Sequence, residues 1–187
     1  MVAALVVPYS ASAACFTRET GLRPTSISFG DAGQISDILV DGDVLTYSSV
    51  LPGNELVVTI EAQGLFMLGS ERSDGMRRRF NWTETLPEVS DLKVGANFER
   101  FALIVGEGVV PFRMAIEVVE AAEIEVDGCR YDVLEVAVRQ GPADQPQMTG
   151  RRWFDPWTML TYRTELEFYD DTGKVTRRQE TQAVSME

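Results

Sequence analysis

Hydrophobic and polar positions alternate along most of this chain. Leu160, Tyr162, Leu166 and Phe168 share one parity, with Thr164 between them; Thr161, Arg163, Glu165 and Glu167 share the other. A period of two marks a strand with one buried and one wet face. Asp170-Asp171-Thr172-Gly173-Lys174 supplies turn residues, and Val175–Val184 returns as a polar strand. Its Arg177 and Arg178 suit an edge that must resist pairing with another chain. Upstream, Leu56, Val58, Ile60 and Ala62 alternate with Glu55, Thr59 and Glu61. Phe112, Met114, Ile116 and Val118 alternate with Arg113, Ala115 and Glu117, and Ile124 and Val126 with Glu123, Glu125 and Asp127. Asp127-Gly128 is a two-residue hairpin signal leading into Cys129–Val138, and Asp41-Gly42 plays the same part between Ile35–Val40 and Val44–Val50.

The pattern predicts about nine or ten strands joined mainly by short turns. Helix evidence is confined to one turn within Thr83–Asp91, limited by Pro87. Gly141–Gly150, with two prolines, reads as an exposed polar loop. The predicted fold class is all-β with little helix: an antiparallel meander curled into a barrel-like or half-barrel sheet.

The first residues change the setting. Val2–Val7 is a short apolar run, and Ala11-Ser12-Ala13-Ala14 follows just before Cys15. An apolar core ending in small residues reads as the end of a secretory signal peptide, though the usual basic start is missing. Residues 1–13 are therefore expected to be leader and 14–187 a single β-rich domain, exported to the periplasm. A lipid anchor on Cys15 is the rival reading; Ser12 stands where a bacterial lipobox prefers a leucine-like residue. No later apolar run approaches the ~20 residues that span a bilayer as a helix, so the chain is not expected to be membrane-spanning.

Cys15 and Cys129 are the only cysteines. An even count in an exported chain favours a disulfide. It would close a loop of about 115 residues, worth ~4–5 kcal/mol in the chain-entropy account. Two buried free thiols are the structural alternative.

The net charge of −12 repels nucleic acid and anionic head groups; no nucleic-acid partner is expected. Arg77-Arg78-Arg79 and Arg151-Arg152 are local positive clusters, read as solvated strand faces or as anion or partner patches. Histidine is absent, which removes Ser-His-Asp and Cys-His arrangements and histidine-based metal sites. Glu165 and Glu167, like Glu123 and Glu125, stand about 6.6 Å apart along a strand, near the spacing of an inverting glycosidase pair. They fall on the polar face, where nothing raises a pKa. Asp41-Gly42-Asp43 and Asp170-Asp171 lack the ligand set of a calcium loop and read as turns. No catalytic residue, metal or cofactor is expected.

The aromatic residues are more suggestive. Trp153-Phe154-Asp155-Pro156-Trp157 is a dense aromatic turn entering the strand that begins at Leu160. In a curved sheet such residues line an apolar pocket or simply fill the core. The candidate wall comprises Phe112, Met114 and Ile116 from one strand and Trp153, Phe154 and Trp157 from the turn. Leu160, Tyr162, Leu166 and Phe168 from the last apolar strand complete it.

Three segments carry a resemblance: Leu92-Lys93-Val94-Gly95; Glu125 to Tyr131 leading into Val133–Val138; and Arg152-Trp153-Phe154-Asp155-Pro156. Their order resembles exported bacterial proteins of unknown function. Some of those look like relatives of the lipoprotein carriers of outer-membrane localisation, whose curved sheets hold acyl chains. The resemblance implies a non-catalytic envelope module that binds a lipid or another apolar small molecule. The alternative is a structural or assembly protein whose sheet edge or outer face meets an envelope protein partner.

Overall fold

The computed structural model describes residues 15–51, 55–142 and 145–187. The expected leader at 1–13 lies outside them. Thirteen strands form one antiparallel sheet. They are β1 (Ile27–Ser28), β2 (Gln34–Asp41), β3 (Val44–Leu51), β4 (Glu55–Ala62), β5 (Phe66–Arg72), β6 (Arg77–Trp82) and β7 (Asn97–Val105). β8 (Val109–Val126), β9 (Cys129–Gly141), β10 (Met148–Asp155), β11 (Leu160–Tyr169), β12 (Val175–Gln182) and β13 (Ser185–Met186) follow. From β1 to β12 every strand pairs with its sequence neighbour, so the meander expected from the alternation is present. The only helical elements among the described residues are 3-10 turns at Gly30–Ala32 and Val89–Asp91, the latter within the segment where one turn was expected.

Local chemistry sets the hairpins. Asp127 and Gly128 both have positive φ, 50° and 76°, between the paired residues Val126 and Cys129. That is the primed turn whose twist matches a right-handed strand pair. The first hairpin turns on Gly42-Asp43 rather than Asp41-Gly42, because Asp41 already pairs with Val44. The expected loop between β9 and β10 is short, and Met148 at its end is buried.

β8 and β9 form the longest hairpin. A bulge between Val118 and Glu120 sets Val118 opposite Val136 but Glu120 opposite Glu135. Adjacent rungs point to opposite faces. The bulge therefore reverses which face the even residues of β8 occupy: Met114, Ile116 and Val118 are buried on one side, Ile124 and Val126 on the other. The reversed half needs its own cover, and the N-terminal segment provides it. Cys15 and Cys129 are joined by a disulfide with Cα atoms 5.6 Å apart. The Phe16 N–H donates to the Tyr131 hydroxyl at 3.3 Å. Tyr131 in turn meets the Tyr162 ring edge-on at 5.1 Å. The bridge consumes the Cys15 thiol, so it and a thioether anchor at Cys15 exclude each other.

Two contacts curl the sheet on itself. The last residues of the chain bridge its ends: Ala183 N–H donates to the Tyr162 carbonyl of β11 at 2.7 Å. Val184 N–H donates to the Ser28 carbonyl of β1 at 2.8 Å, and Met186 pairs with Ile27. Across one end, the β4–β5 turn lies on the β10–β11 turn. A Cβ on Gly64 would overlap the Met159 carbonyl, and Gly64 has φ +67°. The second turn is fixed by Asp155, which accepts from Trp157 N–H at 2.8 Å, Thr158 Oγ1 at 2.8 Å and Tyr162 OH at 2.9 Å.

The variant Cys129→Ser should lose about 4–5 kcal/mol of unfolding free energy under non-reducing conditions. Equal denaturation midpoints for it and the wild type would contradict that. Gly64→Ala should cost about 1–3 kcal/mol or more, from positive φ plus the clash. Gly42→Ala, where φ is also positive but the space is open, should cost less in the same urea titration.

Candidate functional site

The curled sheet leaves a space between two of its facing walls. β3 and β4 pair without a slip, so Leu45 stands opposite Glu61 and Tyr47 opposite Thr59 on one face. On the facing wall, Arg152 of β10 stands opposite Thr164 of β11, and Thr164 opposite Thr181 of β12. Between these walls is a cavity of about 250 Å³. Phe29, Ile35, Leu45, Met67, Leu160 and Leu166 give it apolar lining; Thr161, Thr164 and Thr181 add hydroxyls. Among the described residues, Tyr47, Glu61 and Arg152 are its titratable groups.

Glu61 is the anomaly. It is 7% exposed, and glutamate is rarely buried unless paired. Among the described residues no ion pair within 4 Å involves Glu61 or Arg152. Burial pushes the Glu61 carboxyl up to about 7, against the opposing pull of the Arg152 charge and a hydrogen bond from Tyr47. Burial also raises the Tyr47 hydroxyl, helped by the Glu61 charge, so Tyr47 stays a neutral donor. The site thus holds a permanent cation and a carboxyl poised near neutrality, not in contact, inside an apolar-walled space.

This arrangement reverses the pattern read from β4. Leu56 and Ile60 are 43% and 38% exposed, while Val57, Thr59 and Glu61 face inward. The cause is register. Leu45 and Tyr47 of β3 are inward-facing, and their rung partners must follow. The arginine pair also divides: Arg151 turns out to Glu135 at 2.6 Å, while Arg152 turns into the cavity.

The ten aromatic and aliphatic residues expected to line a wall are spread across the molecule. Leu160 and Leu166 border the cavity. Met114, Ile116, Phe154 and Tyr162 are fully buried in packed core. Phe112 is half-buried in an aromatic cluster, 5.3 Å from Phe80 and 6.0 Å from Trp82. Trp153 lies under Arg163 at 4.5 Å, Phe168 under Arg177 at 3.9 Å, and Trp157 under Arg23 at 4.8 Å. A bulge between Trp153 and Phe154 breaks the simple alternation through this region. The paired strand glutamates are solvated as expected: Glu165 bonds Arg163, Glu167 bonds Arg178, and Glu123 lies 3.7 Å from Arg130. Of the titratable cavity residues, Glu61 stood in the sequence only as part of a polar parity, and nothing singled out Tyr47.

No protein-family model matches the chain, and no curated protein matches it. Its fold is similar to a solved structure, the hypothetical lipoprotein YmcC from Escherichia coli (K12). The TM-score is 0.51 at 10% identity, covering 87% of this chain and 88% of that one. At that identity the likeness is one of fold.

The raised Glu61 carboxyl makes a signed statement about stability. Folded protein holds its proton up to about pH 7, whereas an unfolded glutamate releases it near 4.5. Between those values the folded state binds more protons, so stability falls as pH rises. The loss attributable to Glu61 is about 3 kcal/mol. Glu61→Gln should remove it: relative to wild type, the variant should gain about that much between pH 4 and pH 8. Denaturant titrations at the two pH values check this, and a pH-independent difference would contradict it.

Proposed function

We propose that this protein is a non-catalytic binding module of the bacterial envelope that holds an apolar or lipid-like ligand within its curled sheet. The observation that carries the reading is the apolar-walled cavity between β2–β5 and β10–β12. It lies just below the ~300–1,000 Å³ of typical ligand pockets and has their composition: mostly apolar lining with a few convergent polar groups. Support for an exported location comes from the Cys15–Cys129 disulfide, which suits an oxidising compartment. The description of the similar fold as a lipoprotein agrees with it. A catalytic reading has less support. The chain has no histidine, and the buried Asp155 is spent on holding its own turn.

A specific observation favours a second reading, an interaction protein of the envelope. The outer face exposes Val50, Leu56 and Ile60 on β3–β4 and Leu103, Val105 and Val109 on β7–β8. Arg77 and Arg79 stand between these two groups on β6. Two exposed apolar groups flanking a basic strand suit contact with a protein partner.

Native mass spectrometry of protein purified from the periplasm, before and after organic extraction, separates the two. The binding reading expects a removable mass of a few hundred daltons or more, roughly the weight of one small amphiphile. Bare polypeptide before extraction, together with a co-purifying envelope protein lost on Leu56→Glu substitution, would transfer the assignment to the outer face.

A further inference from the structure

We infer that the cavity ligand is an alkyl carboxylate whose head lies between Arg152 and Glu61 and whose chain runs along Leu45, Leu160 and Leu166. The inference rests on the reading of the cavity as a ligand site and adds the chemistry of what enters it.

The charge argument decides between anion, cation and neutral ligand. Arginine does not lose its proton in proteins. Glu61, desolvated and out of contact with it, does gain one near neutrality. Tyr47, the third titratable group, remains a neutral hydroxyl. The remaining polar lining, Thr161, Thr164 and Thr181, is uncharged. The cavity therefore swings between zero and one positive charge and is never negative. It can admit an anion and has no state that attracts a cation. One cation matches one negative charge, whereas a phosphate monoester brings close to two. A carboxylate also suits the acid beside it, since protonated Glu61 is a donor where ionised Glu61 is not. Size agrees: about 250 Å³ is the room of roughly eight waters at ~30 Å³ each, enough for a short chain or the head end of a longer one.

The proton balance follows. A carboxylate anion enters, one proton is taken from solvent onto Glu61, and the bound pair is carboxylate beside carboxylic acid under the Arg152 guanidinium. Above pH 7 this uptake opposes binding. Below it, Glu61 is already protonated.

The test is calorimetric titration of the delipidated full chain with octanoate, 1-octanol and octyltrimethylammonium at pH 6 and pH 8. Octanoate should bind about tenfold tighter at pH 6, the ratio one proton with a midpoint near 7 gives. Glu61→Gln should flatten that dependence. Arg152→Gln should weaken octanoate at least tenfold at pH 6 while leaving 1-octanol unchanged, and Arg152→Lys should recover part of the loss. Circular dichroism confirms that each variant is folded; if Arg152→Gln is not, the wild-type pH ratio and Arg152→Lys decide. Equal affinity for octanoate and 1-octanol, unaffected by Arg152, would overturn the head-group assignment and leave an apolar site. Preference for the cation would overturn it as well. No binding of any of the three probes would overturn the cavity reading itself, and this inference with it.

Discussion

The C-terminal segment holds the two ends of the sheet together. A meander has no connection that returns its last strand to its first. Left alone, a sheet of this length would present its apolar face to water. Here residues 183–187 follow β12, touch β11 and join β1: Ala183 donates to Tyr162 and Val184 to Ser28, in consecutive residues. Those hydrogen bonds are ordinary in strength, each worth ~0.5–1.5 kcal/mol. Their importance is geometric, because they decide that β1–β4 and β10–β12 face one another. The packing of Gly64 against Met159 sets how closely they do so at one end. Interior, core and cavity all follow from that pair of constraints.

The enclosed space is then used unevenly. Phe66, Phe154, Tyr162, Val118 and Val136 fill much of it to full burial. The remainder keeps a glutamate, a tyrosine and an arginine around a void. Burying a carboxyl without a contact ion pair costs several kcal/mol in its charged form, and the group protonates instead. A well-packed apolar residue at position 61 would stabilise the fold more. The structure carries a destabilising group at an interior place where space remains beside it, and that coincidence is the strongest argument that the void is a site.

How far this was legible in the residues depends on what each feature requires. The meander, the Asp127-Gly128 turn and the Cys15–Cys129 bridge rest on local signals: period-two alternation, positive-φ turn chemistry and cysteine parity. They are readable without knowing what lies opposite. The facing of each strand is not local. The bulge at Val118–Glu120 reverses the buried side of β8, yet apart from Glu120 its even residues are apolar on both sides of the switch, so little in the sequence marks it. Arg151 and Arg152 are adjacent and identical in type, and only a sheet with two different sides separates an exposed arginine paired to the buried Glu135 from a cavity cation. The aromatic turn at 153–157 was visible as a dense apolar feature, but Trp153 and Phe154 are consecutive strand residues on opposite faces and Trp157 lies beyond the strand, so its rings meet different surroundings.

The inward glutamate and the outward aliphatic residues of β4 are one fact. With a period of two, the register that places Glu61 beside Leu45 must place Leu56 and Ile60 on the outer surface. A slip of one residue would bury both aliphatics, each worth ~1.5–3 kcal/mol, and return Glu61 to water. The local pattern of β4 favours that slip. Its neighbours forbid it: Leu45 on β3 is buried, and Leu65 and Phe66 beyond the turn are anchored in the core. The chain therefore sustains, against the preference of one strand, a register that equips the interior with a titratable group and the exterior with an apolar strip. An interior ligand and an outer contact surface are in this sense not competing accounts of the fold. Both would draw on the same eight rungs between β3 and β4, and anything that altered that register would change them together.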